Sequence, residues 1–461
     1  MKRTILLALL LAVPAAAAEP KGRLPRLTVA RDRRHLVTAD GKPFFYLGDT
    51  AWEVFHRLDR PDARAYLRDR AAKGFTVIQA VVLAEFDGLT VPNAFGHLPL
   101  KDNDPTKPVE DYFRHVDWVV NEAEKAGLYV GMLPTWGDKW SKKWGVGPEI
   151  FTPANAEKYG EFLGKRYRDR AVIWILGGDR NPETERHRAI IRALAKGLKK
   201  GDGGAHLMTY HPSGGANSAT WFHKDSWLDF HMVQSGHARR DLANDDFTAA
   251  NYRLSPPKPT LDGEARYEDH PVNWKPANGW FDDYDARQAA YWSVLAGACG
   301  HTYGDHDIWQ FLAPGRKPIS SARTPWRKAL DHPGASQMGI LRKLLTARPF
   351  EKLVPDQALI VGDAGKEADH VRAARAADGS FAVLYLPTGR PVAVDLGRLS
   401  GKEVKAWWFD PRTGKAAPAG TAPRTGKKTW TPPGKPGRGN DWVLVLDDHA
   451  RGLPSLRPQR R

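Results

Sequence analysis

Residues 172–183 read VIWILGGDRNPE, an apolar run that stops at two glycines and a charged pair. From Val172 to Gly177 the run is continuously apolar and rich in β-branched and aromatic side chains, which is typical of a parallel strand covered on both faces. Asp179 and Arg180 follow at once, where the glycines permit a sharp turn. The stretch therefore predicts a buried strand that presents ionisable side chains at its carboxyl end.

Seven more apolar runs are spaced along the chain and alternate with helical patterns. They are FFYLGDT (44–50), FTVIQAVVL (75–83), LYVGMLPTW (128–136), HLMTYHP (206–212), FHMVQSG (230–236), KPTLDGE (258–264) and GHTYG (300–304). The helices between them have recognisable ends, because Pro61 and Pro153 suit first helical positions and Gly74 and Gly127 suit the stops.

Eight such units predict an α/β fold, a (β/α)8 TIM barrel over residues 22–350. The longest insertion, residues 84–110, follows the second strand. A doubly wound open sheet is the alternative fold, but the sequence has no glycine-rich dinucleotide motif to support it. Beyond Pro349 the helical patterns stop, and short strands separated by Gly, Pro and Asn predict a small antiparallel β-sandwich over residues 351–449.

The amino terminus, MKRTILLALLLAVPAAAAEP, has the basic start, apolar run and small residues of a secretory signal peptide over residues 1–18, with cleavage after Ala18. A membrane anchor is the alternative, although the run from Ile5 to Val13 is short against the about 20 residues that a span requires. We therefore expect export to the periplasm or beyond the cell, without stable membrane insertion. The single cysteine, Cys299, excludes an internal disulfide and is expected to be a buried structural thiol.

Half of the net charge of +16 lies in the last ninth of the chain. Residues 411–461 contain eleven Lys or Arg against three Asp or Glu, and the basic tail over residues 450–461 is expected to be disordered. The remaining excess suits an acidic polysaccharide, or solubility alone. Export and the lack of a recognisable binding motif argue against nucleic acid as a partner. We expect a monomer in which a few of the seventeen tryptophans stack on sugars and most lie in the core.

Two carboxylates at the ends of opposite strands are the candidate catalytic residues. Asp179 follows the fourth strand and Glu264 the seventh, and their separation of 85 residues is close to three βα units of about 31 residues each. Glycoside hydrolysis uses such a pair, about 5–5.5 Å apart in retaining enzymes and about 6.5–9.5 Å apart in inverting ones. We assign Asp179 as general acid/base and Glu264 as nucleophile. The alternatives are ion pairs with Arg180 and Arg266, or a helix cap in the case of Asp179.

Other polar and aromatic side chains at the strand ends form the predicted substrate-binding rim. They are Asp49, Trp52, Gln79, Trp136, Arg180, Asn181, Tyr210, His211, Gln234, Tyr303, His306 and Trp309. Asp49 could equally be an N-cap, and each histidine could be a structural residue. Glu85 and Asp87, in the long second loop, are expected at the surface or in a subsite.

A metal-dependent hydrolase is a further alternative, since His211, His237, His301 and His306 are all expected near the rim. The chain has no HExxH motif, no cysteine cluster and no His-x-His pair on its first strand. The GxSxG motif of serine hydrolases is absent as well. We therefore expect no catalytic metal and no cofactor.

Several long motifs resemble the apiosidase-like barrel of glycoside hydrolase family 140. They are FFYLGDTAWEVFHRLDR (44–60), PNAFGHLPL (92–100), VIWILGGDRNPE (172–183), LDGEARYEDHPVNW (261–274) and GHTYGDHDIWQF (300–311). The segment FAVLYLPTGRPVAVDLG (381–397) looks like the C-terminal domain that accompanies this barrel and is often labelled collagen-binding. The resemblance extends over roughly residues 24–448.

The resemblance implies a retaining barrel with a catalytic Asp after strand four and a catalytic Glu after strand seven, which correspond to Asp179 and Glu264. It also implies release of apiose-linked side chains from the pectin rhamnogalacturonan II, an acidic plant cell-wall polysaccharide. We expect the sandwich to serve in packing. The competing hypothesis is a carbohydrate-binding or scaffold barrel that has lost turnover.

Overall fold

The computed structural model describes residues 23–456. The signal peptide predicted for residues 1–18 and the last part of the predicted tail, residues 457–461, lie outside the described residues. Among the described helices, none is both long enough and apolar enough to cross a bilayer.

Eight parallel strands form the barrel that the sequence predicts. A short antiparallel sheet of Leu27–Val29 (β1), Leu36–Thr38 (β2) and Pro43–Phe44 (β3) precedes them. The barrel strands are Tyr46–Thr50 (β4), Val77–Leu83 (β5), Tyr129–Thr135 (β6), Val172–Gly177 (β7), Met208–His211 (β8), His231–Gln234 (β10), Thr260–Asp262 (β11) and Gly300–Tyr303 (β12), with Ala216–Asn217 (β9) paired to β10. Each of the eight predicted runs contains one of these strands, so this prediction is confirmed.

The sheet runs in the order β8, β7, β6, β5, β4, β12, β11, β10, β9. The seam between β8 and β10 is closed by hydrogen bonds from the Thr209 hydroxyl to the Phe230 carbonyl (2.7 Å), from the Asp229 amide to the Met208 carbonyl (2.8 Å) and from the Met208 amide to Asp229 Oδ2 (2.8 Å). Parallel strands covered on both faces explain why the runs are apolar throughout rather than alternating.

Helices cover the outside of the barrel. They are Val54–Arg57 (α1), Arg60–Ala72 (α2), Glu110–Lys125 (α3), Pro153–Tyr167 (α4), Glu185–Asp202 (α5), Ala219–Phe222 (α6), Asn244–Tyr252 (α7), Asp283–Leu295 (α8), His306–Trp309 (α9), Trp326–Ala329 (α10) and Pro333–Thr346 (α11). The Thr152 side chain caps α4 by accepting a hydrogen bond from the amide of Asn155, whose own side chain returns one.

Apolar side chains pack in two layers, one inside the barrel and one between its strands and the surrounding helices. In β7, Ile173 and Ile175 point inward, where they join Tyr46, while Trp174 and Leu176 point outward against the helices. The sheet β1–β3 was not predicted. It packs Leu27, Leu36 and Phe44 against the same inner cluster and so covers the amino-terminal end of the barrel. The opposite end, where the strands finish, stays open.

Nine strands after α11 form two antiparallel sheets, as the sequence predicts. One sheet runs in the order β13, β15, β16, β21, β18, β19 and the other in the order β14, β17, β20. The strands are Leu353–Pro355 (β13), Ile360–Val361 (β14), Arg372–Ala376 (β15), Phe381–Leu386 (β16), Val392–Asp395 (β17), Glu403–Phe409 (β18), Ala416–Pro423 (β19), Lys427–Trp430 (β20) and Trp442–Asp448 (β21). One hydrophobic cluster contains side chains from both the barrel helices and this domain.

Candidate active site

The stretch that ends β7 is a tight turn carrying Asp179. Gly177 and Gly178 have positive φ angles, and a Cβ on Gly178 would lie 2.8 Å from the backbone nitrogen of Gly137. Asp179 has a φ of 54°, a conformation that is costly for a residue with a side chain. The two glycines therefore let the backbone pass close to the neighbouring loop, and Asp179 lines the cavity at the barrel mouth.

Two side chains donate hydrogen bonds to one carboxylate oxygen of Asp179. Trp144 Nε1 donates to Oδ2 at 3.2 Å, and Arg180 Nη1 donates to the same oxygen at 3.2 Å. Arg180 is in turn fixed by the carbonyl of Ser141 at 3.0 Å, and its guanidinium lies 4.0 Å from the ring centroid of Trp144. The ion pair with Arg180 thus exists, and the carboxylate also faces the cavity with one fifth of its side chain exposed.

Two histidines hold Glu264, which lies just beyond the end of β11. His237 Nε2 is 3.0 Å from Oε1, and His211 Nε2 is 3.0 Å from Oε2. The backbone amide of Asp179 donates to His211 Nδ1 at 3.1 Å, and that of Tyr267 donates to His237 Nδ1 at 3.4 Å. Because both Nδ1 atoms accept a backbone N–H, the Nε2 atom of each ring is the one that can carry a proton toward Glu264.

The two carboxyl groups have opposite shifts of their pKa values. Burial, followed by the negative charge of Glu264, raises the pKa of Asp179 to about 6. Burial acts in the same upward direction on Glu264, but the contacts from His211 and His237 outweigh it and hold the pKa of Glu264 below its usual value. One group is therefore suited to carry a proton where the other is ionised, which is the division of work that acid catalysis with a nucleophile requires.

Aromatic side chains build the walls of this cavity, whose volume is about 510 Å³. Trp52 and Trp136 lie with their ring centroids 5.5 Å apart, and Trp52 Nε1 donates to the Tyr267 hydroxyl at 3.2 Å. Phe86 stacks on Trp309 with a centroid distance of 6.0 Å. Aromatic walls around a few polar groups are typical of a carbohydrate site.

Trp144 and Trp274 extend the walls to the surface. Their exposed fractions are 61% and 50%, which is unusual for tryptophan in a folded chain. Both line the cavity that contains Asp179 and Glu264. Flat exposed rings of this kind are suited to stacking on sugar rings.

Unpartnered polar atoms remain within the walls. Trp136 Nε1 and Gln234 Oε1 are buried and have no hydrogen-bond partner among the described residues. Buried polar atoms are normally paired, so these two are candidates for hydrogen bonds to sugar hydroxyl groups.

Seven of the predicted site residues line the cavity. They are Trp52, Trp136, Asp179, Gln234, Glu264, His306 and Trp309. His211 lies beside it, between Asp179 and Glu264. The structure thus brings the two predicted carboxylates and most of the predicted aromatic side chains together.

Asp49 does not belong to the cavity and is a correction to the predicted rim. It is fully buried on the outer face of β4, where it accepts hydrogen bonds from Tyr66 and from Arg70 Nε of α2. Neighbouring residues of a strand face opposite sides, so Asp49 points to the helices while Thr50 points inward. It is neither a substrate ligand nor an N-cap.

Gln79, Tyr210 and Tyr303 are also structural rather than substrate-binding. Gln79 faces the barrel interior and donates to the Thr302 hydroxyl at 2.7 Å. Tyr210 donates to the carbonyl of Arg180 at 2.5 Å. Tyr303 packs in the outer layer and donates to Glu268 Oε2 at 2.6 Å.

Arg180 and Asn181 lie behind the cavity instead of lining it. Arg180 is fully buried and holds the loop after β6 through backbone carbonyls. Asn181 Oδ1 accepts from the amide of Ser213 at 3.1 Å. Both side chains position the loops that carry the site.

Several cavity residues were not among the predicted catalytic or substrate-binding residues, although His237 was expected near the rim. His237 contacts Glu264 directly, and Trp144, Tyr267, His270 and Trp274 all line the cavity. These four cavity residues come from long loops after β6 and β11, where no periodic pattern indicates which side chain turns inward. Their aromatic character was the one signal in the sequence.

Three of the four histidines considered as metal ligands have other partners, while the fourth, His301, is buried in β12 and its Nδ1 has no hydrogen-bond partner among the described residues. His211 and His237 contact Glu264, while His306 Nε2 contacts the carbonyl of Ser320 at 3.0 Å. Within residues 23–456, one group brings three metal-ligating side chains within 4.8 Å of one another, namely Asp269, Asp307 and His332. Arg323 and Thr324 already bind its Asp269, so this group belongs to an ion-pair network.

Comparison with known proteins gives the family. The family described as "Apiosidase-like, catalytic domain" matches residues 30–352, and the one described as "Putative collagen-binding domain of a collagenase" matches residues 354–447. The chain belongs to the apiosidase-like family. The matched barrel contains every residue of the site described above.

Solved structures agree with this assignment. One described as a glycoside hydrolase is 35% identical, covers 93% of this chain and 98% of its own, and has a TM-score of 0.86. Another, described as a glycoside hydrolase family 5 protein from Bacteroides vulgatus, is 33% identical, covers 94% and 95% of the two chains, and has a TM-score of 0.87. The chain matches no curated protein sequence. The apiosidase-like chain is therefore a glycoside hydrolase with a TIM barrel and a C-terminal β domain.

Proposed function

We propose that this apiosidase-like protein is an exported retaining glycoside hydrolase that releases apiose-linked side chains from the pectin rhamnogalacturonan II. The observation that carries the chemistry is the pair formed by Asp179 and Glu264, whose pKa values are shifted in opposite directions in one aromatic cavity. The family's name and the basic net charge of +16 support the choice of an acidic pectic substrate.

In the first step, Glu264 attacks the anomeric carbon while Asp179 donates its proton to the leaving glycosidic oxygen. The bond between sugar and leaving oxygen breaks, and a covalent glycosyl-enzyme forms. In the second step, Asp179 as a carboxylate removes a proton from water, which attacks the anomeric carbon and frees Glu264. His211 and His237 stabilise the negative charge of Glu264 before attack and after release.

The aromatic walls support binding of a sugar in this pathway. Trp52, Trp136 and Trp309 enclose the reacting sugar, while the exposed rings of Trp144 and Trp274 suit the sugars that continue outward. Enclosure removes water from the carboxylates and strengthens their interaction with the oxocarbenium-like transition state.

The direct test is product analysis after incubation with rhamnogalacturonan II and a panel of pectic oligosaccharides. We expect release of apiose-linked products by the wild type, with retained anomeric configuration in the first product observed by NMR. Asp179→Ala and Glu264→Ala should each lower turnover by at least about a hundredfold, since acid/base catalysis alone contributes about 10²–10⁴. Turnover within about tenfold of wild type in either variant would contradict the assignment.

Binding of pectic oligosaccharides without any release of sugar would instead favour the competing hypothesis of an inactive carbohydrate-binding barrel. The Asp179→Asn variant serves as the matched control in that experiment, since it preserves the shape of the side chain. A wild-type protein that behaves like this control would contradict the proposed function.

A further inference from the structure

Glu85 is a third carboxyl group at the mouth of the barrel, and the mechanism above does not use it. It lies two residues beyond the end of β5 and lines the cavity that contains Asp179 and Glu264. It also lines a second cavity of about 820 Å³ on the outer side of Phe86. Glu85 therefore faces both spaces.

The two cavities are neighbours that share part of their lining. Glu85, Phe86, Ile319 and Ser320 belong to both. A glycan whose reacting sugar is placed between Asp179 and Glu264 can continue past these four residues into the second cavity. The shared lining, called the passage below, is the place where a second sugar unit would lie.

The Glu85 carboxyl has no hydrogen bond or ion pair with any other residue in the part of the chain that the structure describes. The carboxylates around it are different. Asp138 is bound by Lys139 Nζ at 2.8 Å and by the amide of Gly147 at 2.8 Å, and Glu53 is bound by His56 Nδ1 at 2.9 Å. Glu53 keeps one oxygen, Oε1, without a partner, whereas neither oxygen of Glu85 has a donor among the described residues.

This environment disfavours a negative charge on Glu85. Burial, followed by the charges of Asp179, Glu53 and Asp138, raises the pKa of Glu85 well above its usual value. A carboxyl group in its acid form donates one hydrogen bond and accepts others, as a sugar hydroxyl pair requires.

We propose that Glu85 is a substrate-binding residue that determines specificity, and that its carboxyl group hydrogen-bonds the hydroxyl groups of a second sugar unit in the passage. This proposal rests on the proposed glycosidase function. The ligand is a glycan of at least two sugar units, and its second unit lies beyond the cleaved bond.

The test compares Glu85→Ala, Glu85→Gln and Asp102→Asn with the wild type on oligosaccharides from rhamnogalacturonan II. Glu85→Ala should lower kcat/KM about tenfold to a hundredfold, mainly through KM, because it removes two hydrogen bonds to substrate. Glu85→Gln keeps a donor and an acceptor without charge and should stay within about fivefold of the wild type. Asp102→Asn is the matched control, since Asp102 is an exposed carboxylate in the same long loop and lines neither cavity.

A short substrate separates binding in the passage from a general effect on the site. With a 4-nitrophenyl glycoside of the released sugar, which has no second sugar unit, Glu85→Ala should lose less than about threefold. An equal loss on the short and long substrates would overturn the proposal. So would an unchanged KM on the oligosaccharides, or a Glu85→Gln variant as impaired as Glu85→Ala.

Binding gives a readout that does not depend on turnover. Tryptophan fluorescence titration with the same oligosaccharides in a Glu264→Gln background should show affinity about tenfold weaker when Glu85→Ala is added. If the wild type hydrolyses no pectic glycan but Glu264→Gln binds one with this Glu85 dependence, the proposed function fails and the Glu85 proposal stands. If binding is absent or independent of Glu85, the Glu85 proposal fails.

Discussion

Two carboxyl groups of similar chemistry have opposite properties at this site because their donors differ. Trp144 and Arg180 both donate to Oδ2 of Asp179, whereas an imidazole Nε2 lies 3.0 Å from each oxygen of Glu264. Donors aimed at a carboxylate favour its ionised form, while burial and a nearby negative charge favour the acid form. The local contacts, and not the residue types alone, decide which carboxyl group carries a proton and which is ionised.

The pH dependence of kcat/KM follows from these shifts. Asp179 must be protonated for the first step, so activity should fall as the pH rises through its pKa of about 6. Glu264 must be ionised, so activity should fall on the acid side only below the usual range of a glutamate. A pH–rate profile of the wild type measures both limbs. Asp179→Ala, assayed on a substrate with an activated leaving group, should lack the alkaline limb, and constant wild-type activity from pH 5 to pH 8 would contradict the prediction.

His237→Ala should act on Glu264 rather than on the substrate. Removing one donor raises the pKa of Glu264, so the acid limb should move to higher pH, and kcat/KM should fall about tenfold to a hundredfold because a hydrogen bond to a charged group is lost. The pH–rate profile of the variant measures the shift, and its unfolding curve checks that the fold is intact. If kcat/KM falls but the acid limb does not move, His237 does not lower the pKa of Glu264.

The sequence predicts Asp179 and Glu264 because each directly follows a recognisable strand. It fails at Asp49, Tyr210 and Tyr303 because a difference of one position along a strand reverses the face on which a side chain lies. Strand ends are accurate only to within a few residues from sequence, so inward and outward positions cannot be separated there. His237 and Trp144 depend on the course of loops, which no periodic pattern describes.

At the scale of the elements, helices α4 and α5 pack through glycines. Gly160 and Gly164 of α4 lie against the backbone of α5, and Gly197 and Gly201 of α5 lie against that of α4. A Cβ on Gly197 would overlap the carbonyl oxygen of Glu157. The two small-residue pairs, each four positions apart, therefore let the helices approach until their backbones touch.

Gly197→Ala should destabilise the protein although alanine favours a helix. The added methyl group forces the two helices apart, and such overpacking costs about 1–3 kcal/mol of the free energy of unfolding. Urea unfolding followed by circular dichroism measures the change. Lys196→Ala, an exposed position of the same helix, should change it by less than about 1 kcal/mol. A Gly197→Ala protein as stable as the wild type would show that the helix pair can separate at no cost.

The strands that the sequence does not predict are those that form only because a neighbouring strand pairs with them. Strand β15 reads RAARA and β19 reads AAPAGTAP, and neither has the apolar alternation of a strand. Both form because neighbours β16 and β18 offer long antiparallel edges. Strand preference depends on such context more than helix preference does. The runs that make the barrel have strong patterns of their own and are therefore found.

At the scale of the whole molecule, the β-sandwich packs on helix α8 of the barrel. Arg287 forms an ion pair with Asp441 of the sandwich at 2.9 Å, and both are buried. Tyr291 stacks on Tyr385 with a centroid distance of 4.7 Å and an interplanar angle of 6°. A buried charged pair and a stacked aromatic pair across one surface are features of a fixed interface rather than of a flexible linker.

Arg287→Ala should therefore lower the stability of both domains together. The substitution leaves the Asp441 carboxylate buried and without its guanidinium, which costs about 3–5 kcal/mol. Thermal unfolding should remain one transition and shift to lower temperature. The double variant Arg287→Met with Asp441→Leu removes both charges and should recover much of the loss, because an apolar pair of similar volume replaces the ion pair. Two separate transitions in the wild type would show that the barrel does not depend on this contact. So would an Arg287→Ala protein whose free energy of unfolding lies within about 1 kcal/mol of the wild-type value.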